Sequence, residues 1–463
     1  MTTSHKTRRV AVVGGGITGL AAAHALAVHP QAAAGDLTVD LFESEDRLGG
    51  KLRTSPFAGH PAIDEGPDAF LARLPWGTAL AREVGLGEQL VAPAQGKAAV
   101  WWEGLHPIPD KLVLGMPTGV VALARSRLLT WPGKLRAAME PLLPRTALAG
   151  DALGAFVRAR FGDQVHERLV DPLVGSIYAA DTDHFSLAAV PQIHGLAAGS
   201  RSVLLAARKL PKPPADAGPV FYAPRQGMGA LAAATAEAAL AAGARLHPST
   251  PVGTLERDGH GWRLDDEPFD AVVLACPAAV TAGLLAGAAP DAVAGIVTIP
   301  AADVAIVTLA VHERDWPTAL RGMSGYLVPK PQQQLVTAAS FGSQKWSHWQ
   351  VGEMVIVRVS MGRDGLAVLH RDDEQLVAAA VDETGHHLGL TLQPLHARVS
   401  RWVGAFPQYR PHHAARISDI ERALPSDLYL AGASYHGIGV PACIASGQKA
   451  AARTAQSLFT VGE

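Results

Sequence analysis

The amino-terminal residues alternate apolar runs with glycine-rich and polar turns, in the order of a strand, a helix and a second strand. Arg8–Val13 is apolar after its first two residues, which predicts a short strand buried on both faces. The alanine-rich residues that follow, up to about Val28, predict a helix, and Leu37–Phe42 predicts a second strand. The pattern therefore predicts a strand–helix–strand unit at this end of the chain.

Glycines stand where this unit would turn from strand to helix. Gly14 permits the tight turn, Gly16 lets a pyrophosphate touch the backbone, and Gly19 lets the helix lie close to the sheet. The free N–H groups of the first helical turn would face the phosphates. Glu43 ends the second strand, about 24 residues after Gly19, where it can accept hydrogen bonds from a ribose hydroxyl. The spacing predicts a dinucleotide site.

Beyond this unit, the pattern divides the chain into further regions. Residues from about 95 to 215 lack clear alternating strands and carry helical stretches interrupted by Pro and Gly. Short strands return within 251–276, and strand-like runs recur from about 296 to 420. A last strand at 427–431 precedes a glycine motif and a helix of small residues.

Composition supports a large core and excludes several classes of function. The chain has 463 residues, of which 48% are apolar, so it can form more than one domain and is not disordered. Its net charge of −2 predicts no nucleic-acid partner. Only Cys276 and Cys443 are present, without a zinc-like spacing, which predicts a reducing, cytoplasmic location. Glycines interrupt the apolar amino-terminal run, which argues against export, and no other run is long enough to span a bilayer.

The residues after Glu43 bear on which dinucleotide is bound. They continue into a basic, double-glycine segment that could lie along the same pyrophosphate, a feature that NAD domains lack, and this favours FAD. The alternative is a solvated surface turn. The candidate cofactor contacts in this segment are Ser44, Arg47, Gly49, Gly50 and Lys51.

A second glycine motif lies near the carboxyl end. Its candidate cofactor contacts are Gly432, Ile438, Gly439 and Val440, and Pro441 suits the first turn of the helix that follows. A helix N-terminus aimed at the pyrimidine end of a flavin would stabilise the negative charge that develops there on reduction. The alternative is a glycine-rich helix start without a ligand.

Taken together, these motifs resemble the porphyrinogen oxidases of haem synthesis, and most closely the soluble bacterial branch that forms coproporphyrin III. The resemblance covers essentially the whole chain. Single motifs also occur in amine oxidases and carotenoid desaturases, whereas residues 66–70, 177–179 and 407–409 are more characteristic. The segments that carry it are 14–20, 43–51, 64–70, 224–231 and the carboxy-terminal glycine motif.

The resemblance implies an α/β fold of the FAD-linked amine oxidase architecture, in three parts. A discontinuous Rossmann-like FAD-binding domain would comprise residues 1–95, 216–295 and 421–463. A helical insertion would comprise 96–215, and a mixed-sheet substrate domain 296–420. FAD would be noncovalent, because Cys443 does not match the position at which amine oxidases attach it.

The resemblance also implies further site residues. In addition to those above, cofactor contacts are expected from Gly66, Pro67, Asp68, Val252 and Trp402. Arg73 would pair with a substrate propionate, with a plain surface arginine as the alternative, and Leu327 would pack on the macrocycle, with an ordinary core leucine as the alternative. Ser176 and Tyr178 would also contact substrate, although Ser176 stands where the family has Gly.

The implied activity is an FAD-dependent oxidation of coproporphyrinogen III to coproporphyrin III, by successive hydride transfers to flavin. Molecular oxygen would be the final acceptor, hydrogen peroxide would be released, and the next haem-synthesis enzyme would make transient contact. We assign no catalytic side chain, because the cofactor carries the redox step. We also expect no metal site, because adjacent histidines such as His386 and His387 would point to opposite faces of a strand.

Three other functions remain open at this point. The chain could oxidise protoporphyrinogen IX, or it could be another flavin enzyme of the amine oxidase or carotenoid desaturase kind. It could also be a non-enzymatic escort protein on the same scaffold, in which case the purified protein would be colourless.

Overall fold

In a computed structural model, residues 7–94, 96–110, 112–210, 218–259, 261–350 and 352–459 are described. Five parallel strands form one sheet, with Arg8–Val13 at its centre. In order across the sheet, the strands are Arg245–His247, Leu37–Phe42, Arg8–Val13, Ala271–Leu274 and Leu428–Leu430. The central strand is apolar because helices cover both faces of the sheet.

Alternate residues of the central strand enter two different cores. Val10 and Val12 pack with the helices Ile17–Ala27, Gly229–Ala241 and Val440–Phe459 on one face. Ala11 and Val13 pack on the other face with the helices Ala278–Leu285 and Pro290–Ile296 and with a small antiparallel sheet. The strands of that small sheet are Leu255–Asp258, Gly261–Leu264 and Glu267–Phe269. The predicted strand–helix–strand unit is therefore present and lies at the centre of its layer.

A second, mixed sheet has seven strands. All neighbours are antiparallel except Met323–Leu327 and Lys97–Trp101, which pair in parallel. In order, the strands are His396–Pro407, Ala301–His312, Met354–Met361, Val336–Phe341, Met323–Leu327, Lys97–Trp101 and Leu105–Pro107. The last two fall within 96–215, which we expected to be a helical insertion. They belong to the mixed sheet instead, because Lys97–Trp101 finds its partner more than 200 residues further along the chain.

The helical part of the insertion begins at Val120–Arg125 and has its own buried core. Most of it is α-helical, but His166–Gly175 is a ten-residue π-helix that contains Pro172. Its other helices are Trp131–Ala138, Leu153–Phe161, Asp163–Val165, Ser176–Tyr178, Pro191–Gly199 and Val203–Arg208, with 3₁₀ turns at Glu140–Leu142 and Thr182–His184. A π-helix of this length is rare and often marks a functional segment.

Short elements complete the fold. The remaining strands are the hairpin Thr54–Phe57 and His60–Asp64, the strands Phe70–Leu71, Leu90–Val91 and Phe221–Pro224, and the pair Leu112–Val113 and Met116–Pro117. The remaining α-helices are Pro30–Ala33, Pro75–Glu83, Gly342–Lys345, Asp373–Leu388 and His413–Arg422. Single 3₁₀ turns lie at Gly87–Gln89, Glu313–Asp315, Thr318–Leu320, Lys330–Gln332 and Ser347–Trp349. Across the described ranges, no helix is long and apolar enough to cross a membrane.

The adjacent histidines do not lie in a strand as predicted. His386 and His387 lie in the helix Asp373–Leu388 and not in a strand. The start of that helix carries a capping box, in which the Asp372 side chain accepts from the Gln375 backbone and the Gln375 side chain accepts from the Asp372 backbone. This was the local signal for a helix that the strand interpretation overlooked.

Candidate functional site

The turn between the first strand and the first helix is built for a ligand that approaches its backbone. Gly14 has a φ of +110°, and a Cβ at Gly19 would lie 1.8 Å from the Gly14 carbonyl oxygen, so neither position accepts a side chain. Gly16 differs, since, apart from its chain neighbours and its own helix, no atom of the described residues lies within 4 Å of its Cβ position. Gly16 begins the helix, and its backbone is extended. The N-terminus of this helix therefore faces open space, as a pyrophosphate site requires.

Glu43 is held in a fixed position beside this turn. One carboxylate oxygen accepts a hydrogen bond from the Gly15 N–H at 2.7 Å, and the other accepts from the Glu45 N–H at 2.8 Å. The backbone of Thr250 donates to the Glu43 carbonyl at 2.8 Å, which places the loop of Val252 next to Glu43. Val252 packs against the core on this face of the sheet. The two residues predicted to contact the adenosine half of the cofactor thus lie together.

The double-glycine segment lies directly against the phosphate turn. The Gly49 N–H donates to the Gly15 carbonyl at 2.8 Å, and a Cβ at Gly50 would lie 3.2 Å from the Gly16 Cα. Arg47 donates to the Gly50 carbonyl at 2.7 Å, which stiffens the segment. Ser44 donates to the Glu43 carboxylate at 3.1 Å, whereas the Lys51 side chain is exposed. Residues 14–19 and 43–51 therefore form one surface, called the cradle below. Residues 43–51 are not an isolated surface turn.

The carboxy-terminal glycine motif reaches the same place from the other end of the chain. Gly432 has a φ of +109°, and a Cβ there would lie 3.4 Å from the Thr18 hydroxyl oxygen. At Gly447, in the last helix, a Cβ would lie 2.2 Å from the Thr18 carbonyl, so the first and last helices cross with their backbones in close approach. Gly439 and Val440 begin that last helix, and Ile438 packs against the core of the insertion. Thr18 was missed from sequence, because its role depends on this crossing.

Residues 64–68 tie the cradle to the mixed sheet. The Asp68 carboxylate accepts from Lys345 at 2.8 Å and from the Trp346 indole at 3.1 Å. Burial raises the pKa of Asp68, but Lys345 and Arg358 outweigh this effect and hold the pKa below its usual range. The Asp68 side chain is thus engaged by the sheet, and its role as a cofactor contact stays a prediction.

Gly66 and Pro67 lie within this segment, between Glu65 and Asp68. A Cβ at Gly66 would lie 2.3 Å from the Lys51 carbonyl and 3.4 Å from the Trp402 ring. The Trp402 indole donates to the Glu65 carbonyl at 3.1 Å. Trp402 therefore lies on Gly66, on the same side as the double-glycine segment.

The four residues predicted to contact substrate lie in three different parts of the fold. The Tyr178 ring lies 4.9 Å from the Phe185 ring, and Tyr178 packs against the same core as Ile438. Ser176 donates its hydroxyl to the Pro172 carbonyl in the preceding π-helix, and Leu327 is half-buried in the mixed sheet. Arg73 is exposed in a cavity of about 510 Å³ that Arg82 and Tyr222 also line.

Tyr409 joins the carboxy-terminal glycine motif to the mixed sheet. Its hydroxyl donates to the Ala433 carbonyl at 2.6 Å and accepts from the Gly437 N–H at 2.7 Å. Its ring stacks on His413 with ring centres 3.8 Å apart. Burial raises the pKa of Tyr409, so the hydroxyl keeps the proton that it donates. The sequence singled out residues 407–409 only through the resemblance and gave no sign of this bridge.

A Glu43→Gln variant should bind flavin about tenfold or more weakly. The amide replaces charge-assisted hydrogen bonds to backbone N–H groups, each worth about 1.5–3 kcal/mol, and turns a donor toward one of them. Titrating flavin into apoprotein and following the quenching of flavin fluorescence would measure the change in Kd. Asp46→Asn is the matched control, since Asp46 is an exposed carboxylate in the same segment. An unchanged Kd for Glu43→Gln would remove Glu43 from the cofactor site.

The buried Asp64 carboxyl should make the stability of the protein depend on pH. This carboxyl is buried and accepts from the Thr54 hydroxyl at 2.5 Å and from the Met228 N–H at 2.8 Å. Burial raises the pKa of Asp64 to about 6. Because the folded-state pKa is raised, its stabilising contribution is complete below pH 4 and is lost as the pH rises through 6.

Asp64→Asn keeps the acceptor oxygen and removes this titration. The free energy of unfolding of the variant, relative to the wild type, should therefore increase by about 2–3 kcal/mol between pH 4 and pH 7.5. Urea unfolding at several pH values measures it, with Asp46→Asn on the exposed neighbouring turn as control. A constant difference across this range would contradict the assignment.

Comparisons with known proteins agree with this geometry. Residues 17–455 match the family of flavin containing amine oxidoreductases. A coproporphyrinogen III oxidase of Mycobacterium tuberculosis is 37% identical over 97% of this chain and 98% of its own length. A coproporphyrinogen III oxidase of Bacillus subtilis is 29% identical over 98% of this chain and 99% of its own length.

A solved structure gives the same result. A crystal structure from Exiguobacterium sp. 255-15, provisionally described as a protoporphyrinogen oxidase, matches with a TM-score of 0.85 and 31% identity. The match covers 97% of this chain and 99% of that one. The expectations of an oxidoreductase, of a flavin cofactor and of this fold are confirmed. The chain belongs to the flavin-containing amine oxidoreductases and, within them, to the family that includes the coproporphyrinogen III oxidases.

Proposed function

We propose that this protein is an FAD-dependent oxidase that converts coproporphyrinogen III to coproporphyrin III in haem biosynthesis, in the cytoplasm. The observation that carries the proposal is the meeting of two glycine motifs from opposite ends of the chain in one cradle beside a mixed sheet. The similarity to coproporphyrinogen III oxidases over nearly the whole chain supports the choice of substrate.

The cradle fits FAD. Glu43 and the loop of Val252 would hold the adenosine, the N-terminus at Gly16 would hold the pyrophosphate, and the carboxy-terminal motif would receive the isoalloxazine. Noncovalent binding is favoured because the Cys443 thiol is buried, and burial raises its pKa and disfavours the nucleophilic thiolate. Bound FAD would supply the chemistry by accepting hydrides from the carbon bridges, with molecular oxygen as final acceptor and hydrogen peroxide released.

The side chains of this protein would bind and orient the macrocycle. Leu327 and Tyr178 offer apolar surface, and Arg73 offers a guanidinium that can bind a propionate through two hydrogen bonds. Tyr409 would hold the carboxy-terminal motif in place. No side chain is assigned to proton transfer, because the pyrrolic protons of a porphyrinogen can leave to solvent. Transient contact with the next haem-synthesis enzyme would then remove the product.

A second candidate substrate is protoporphyrinogen IX. The structural match to the Exiguobacterium protein favours it, since that protein is described as acting on protoporphyrinogen. The two substrates differ in their number of carboxylates, so the cations around the rim of the site would decide between them.

The test begins with the purified protein. Denaturing it should release FAD into the filtrate, and a pellet that stays yellow would overturn noncovalent binding. Coproporphyrinogen III and protoporphyrinogen IX, each prepared without oxygen, are then offered to the protein, and porphyrin fluorescence is followed after air is admitted. We expect faster fluorescence growth with coproporphyrinogen III than with protoporphyrinogen IX or without enzyme.

Other outcomes replace the proposal. A preference for protoporphyrinogen IX would establish the second candidate. Consumption of a polyamine or carotene without porphyrin fluorescence would identify another flavin oxidase. A colourless protein that takes up no added FAD would point to a non-enzymatic escort protein.

A further inference from the structure

We propose that Arg363 and Asp171 are a positioning pair that fixes residues 176–180, and with them the Tyr178 side chain, beside the carboxy-terminal glycine motif. Residues 176–180 are called the roof segment below. The inference rests on the proposed function for its substrate, but the geometry of the pair is independent of it.

The pair connects the mixed sheet to the insertion through a bidentate ion pair. Arg363 lies in the turn that follows the strand Met354–Met361, and Asp171 lies in the π-helix. Their atoms meet at Nη2–Oδ1 2.7 Å and Nη1–Oδ2 3.0 Å, and the two side chains are only 4% and 1% exposed. Arg363 Nη2 also donates to the carbonyl of Ala180, the last residue of the roof segment.

The roof segment has an unfavourable backbone that its neighbours hold in place. Ala179 has a φ of +45°, in the left-handed region that residues with a Cβ avoid. The Asp364 N–H donates to the Ala179 carbonyl at 2.8 Å, and the Gln408 amide donates to the Tyr178 carbonyl at 3.2 Å. Such a conformation persists only where the surroundings fix it, and it is typical of functional sites.

A chain of aromatic contacts runs from the roof segment to the carboxy-terminal glycine motif. The Tyr178 ring lies 4.9 Å from Phe185, and the Phe185 ring is parallel to the Tyr409 ring at 6.2 Å. Tyr409 in turn holds the backbone of Ala433 and Gly437. A displacement of the roof segment would therefore change the surface that a bound macrocycle meets.

An arginine is required for this role. The planar guanidinium serves a carboxylate and a carbonyl at the same time, whereas a lysine ammonium cannot reproduce the two-pronged contact. Asp171 is also held by the Thr182 hydroxyl at 2.6 Å. Burial raises the pKa of Asp171, but the hydrogen bonds from Arg363 outweigh this effect and hold the pKa below its usual range, so the carboxylate stays ionised.

Arg363→Lys tests the proposal. The variant should retain bound flavin, while kcat/KM for coproporphyrinogen III falls at least about tenfold through a higher KM, because the roof segment no longer holds one geometry. In the resting protein, the backbone amides of residues 176–180 should exchange hydrogen with solvent faster, as read by mass spectrometry of peptic fragments. Asp171→Asn keeps the shape of its side chain and should show the same two effects.

Arg160→Lys separates positioning from loss of stability. Arg160 forms an equally buried ion pair with Glu140 in the same insertion, but its hydrogen bonds go to Glu140, Pro144 and Arg201 and not to the roof segment. Under conditions in which every variant is folded, the Arg160→Lys variant should keep wild-type kcat, wild-type KM and wild-type hydrogen exchange at residues 176–180. Wild-type kinetics and exchange in Arg363→Lys, or equal effects in Arg160→Lys, would overturn the proposal. If the wild type oxidises neither porphyrinogen, the proposed function fails, while the exchange comparison still decides the role of the pair.

Discussion

A Gly16→Val variant is expected to fold and to purify without flavin. The Gly16 backbone has φ −69° and ψ 173°, which valine adopts without strain, and, apart from its chain neighbours and its own helix, no atom of the described residues lies within 4 Å of its Cβ position. The space that the valine side chain would occupy is the space in front of the helix N-terminus, where the proposed pyrophosphate would bind. The loss of bound flavin would therefore result from a clash with the ligand and not from misfolding.

The measurement compares flavin absorbance per mole of protein with far-UV circular dichroism. Wild-type ellipticity with at least about a hundredfold weaker flavin binding is expected, since a side chain in contact distance of a phosphate also displaces its hydrogen bonds. Gly283→Val is the matched control, because Gly283 is an exposed helical glycine with equally open surroundings. Full yellow colour in Gly16→Val would place the pyrophosphate elsewhere.

Glu140→Ala should be the most destabilising substitution in the insertion. The Glu140 side chain is fully buried and accepts from Arg160 Nε at 2.8 Å, from the Ser202 hydroxyl at 2.6 Å and from the Val203 N–H at 2.9 Å. Its removal leaves the Arg160 guanidinium buried without a counter-charge. The expected cost is about 3–5 kcal/mol in the free energy of unfolding.

Urea unfolding with limited proteolysis would measure this cost. Cleavage within residues 140–208 should begin at a urea concentration at which flavin is still bound, because the insertion and the nucleotide sheet have separate cores. The double variant Glu140→Leu with Arg160→Met should recover part of the loss, since no unpaired charge remains. Glu237→Ala, on an exposed helix position, should change stability by less than about 0.5 kcal/mol. A urea midpoint for Glu140→Ala equal to that of Glu237→Ala would contradict the role of this ion pair.

We therefore expect the stability of this protein and its proposed chemistry to depend on different buried ion pairs. Glu140 and Arg160 hold the helices of the insertion to one another. Arg363 and Asp171 hold the insertion to the mixed sheet, and Asp68 with Lys345 holds the nucleotide-binding layer to the same sheet. We expect the two contacts between layers to affect the proposed substrate site, and the contact within the insertion to affect only stability.

Much of the cofactor cradle could be predicted from sequence, because its signals are local. Gly14, Gly16 and Gly19 lie within six residues of one another, and each has a backbone reason that any strand-to-helix turn of this kind imposes. The strand and helix on either side follow from short apolar periods. Glu43 follows from the length of the next strand and helix.

Other features could not be predicted, because their partners are distant in sequence. The strand Lys97–Trp101 pairs with Met323–Leu327. The residue pattern of neither strand indicates which strand is its partner. Asp68 was predicted as a cofactor contact from its motif, but its carboxylate meets Lys345, 277 residues away. Arg363 and Asp171 are 192 residues apart and carry no local signal at all.

The sequence by itself determined the glycine turns, the periods of the elements around them and therefore the kind of ligand that the cradle accepts. Those properties depend on backbone conformation and side-chain volume within a few residues. Only the tertiary structure decided which charged groups pair across the layers and which residues hold the roof segment. Ion pairs between layers arise from the packing of whole sheets and helices, so their partners are set by position in space and not by spacing along the chain.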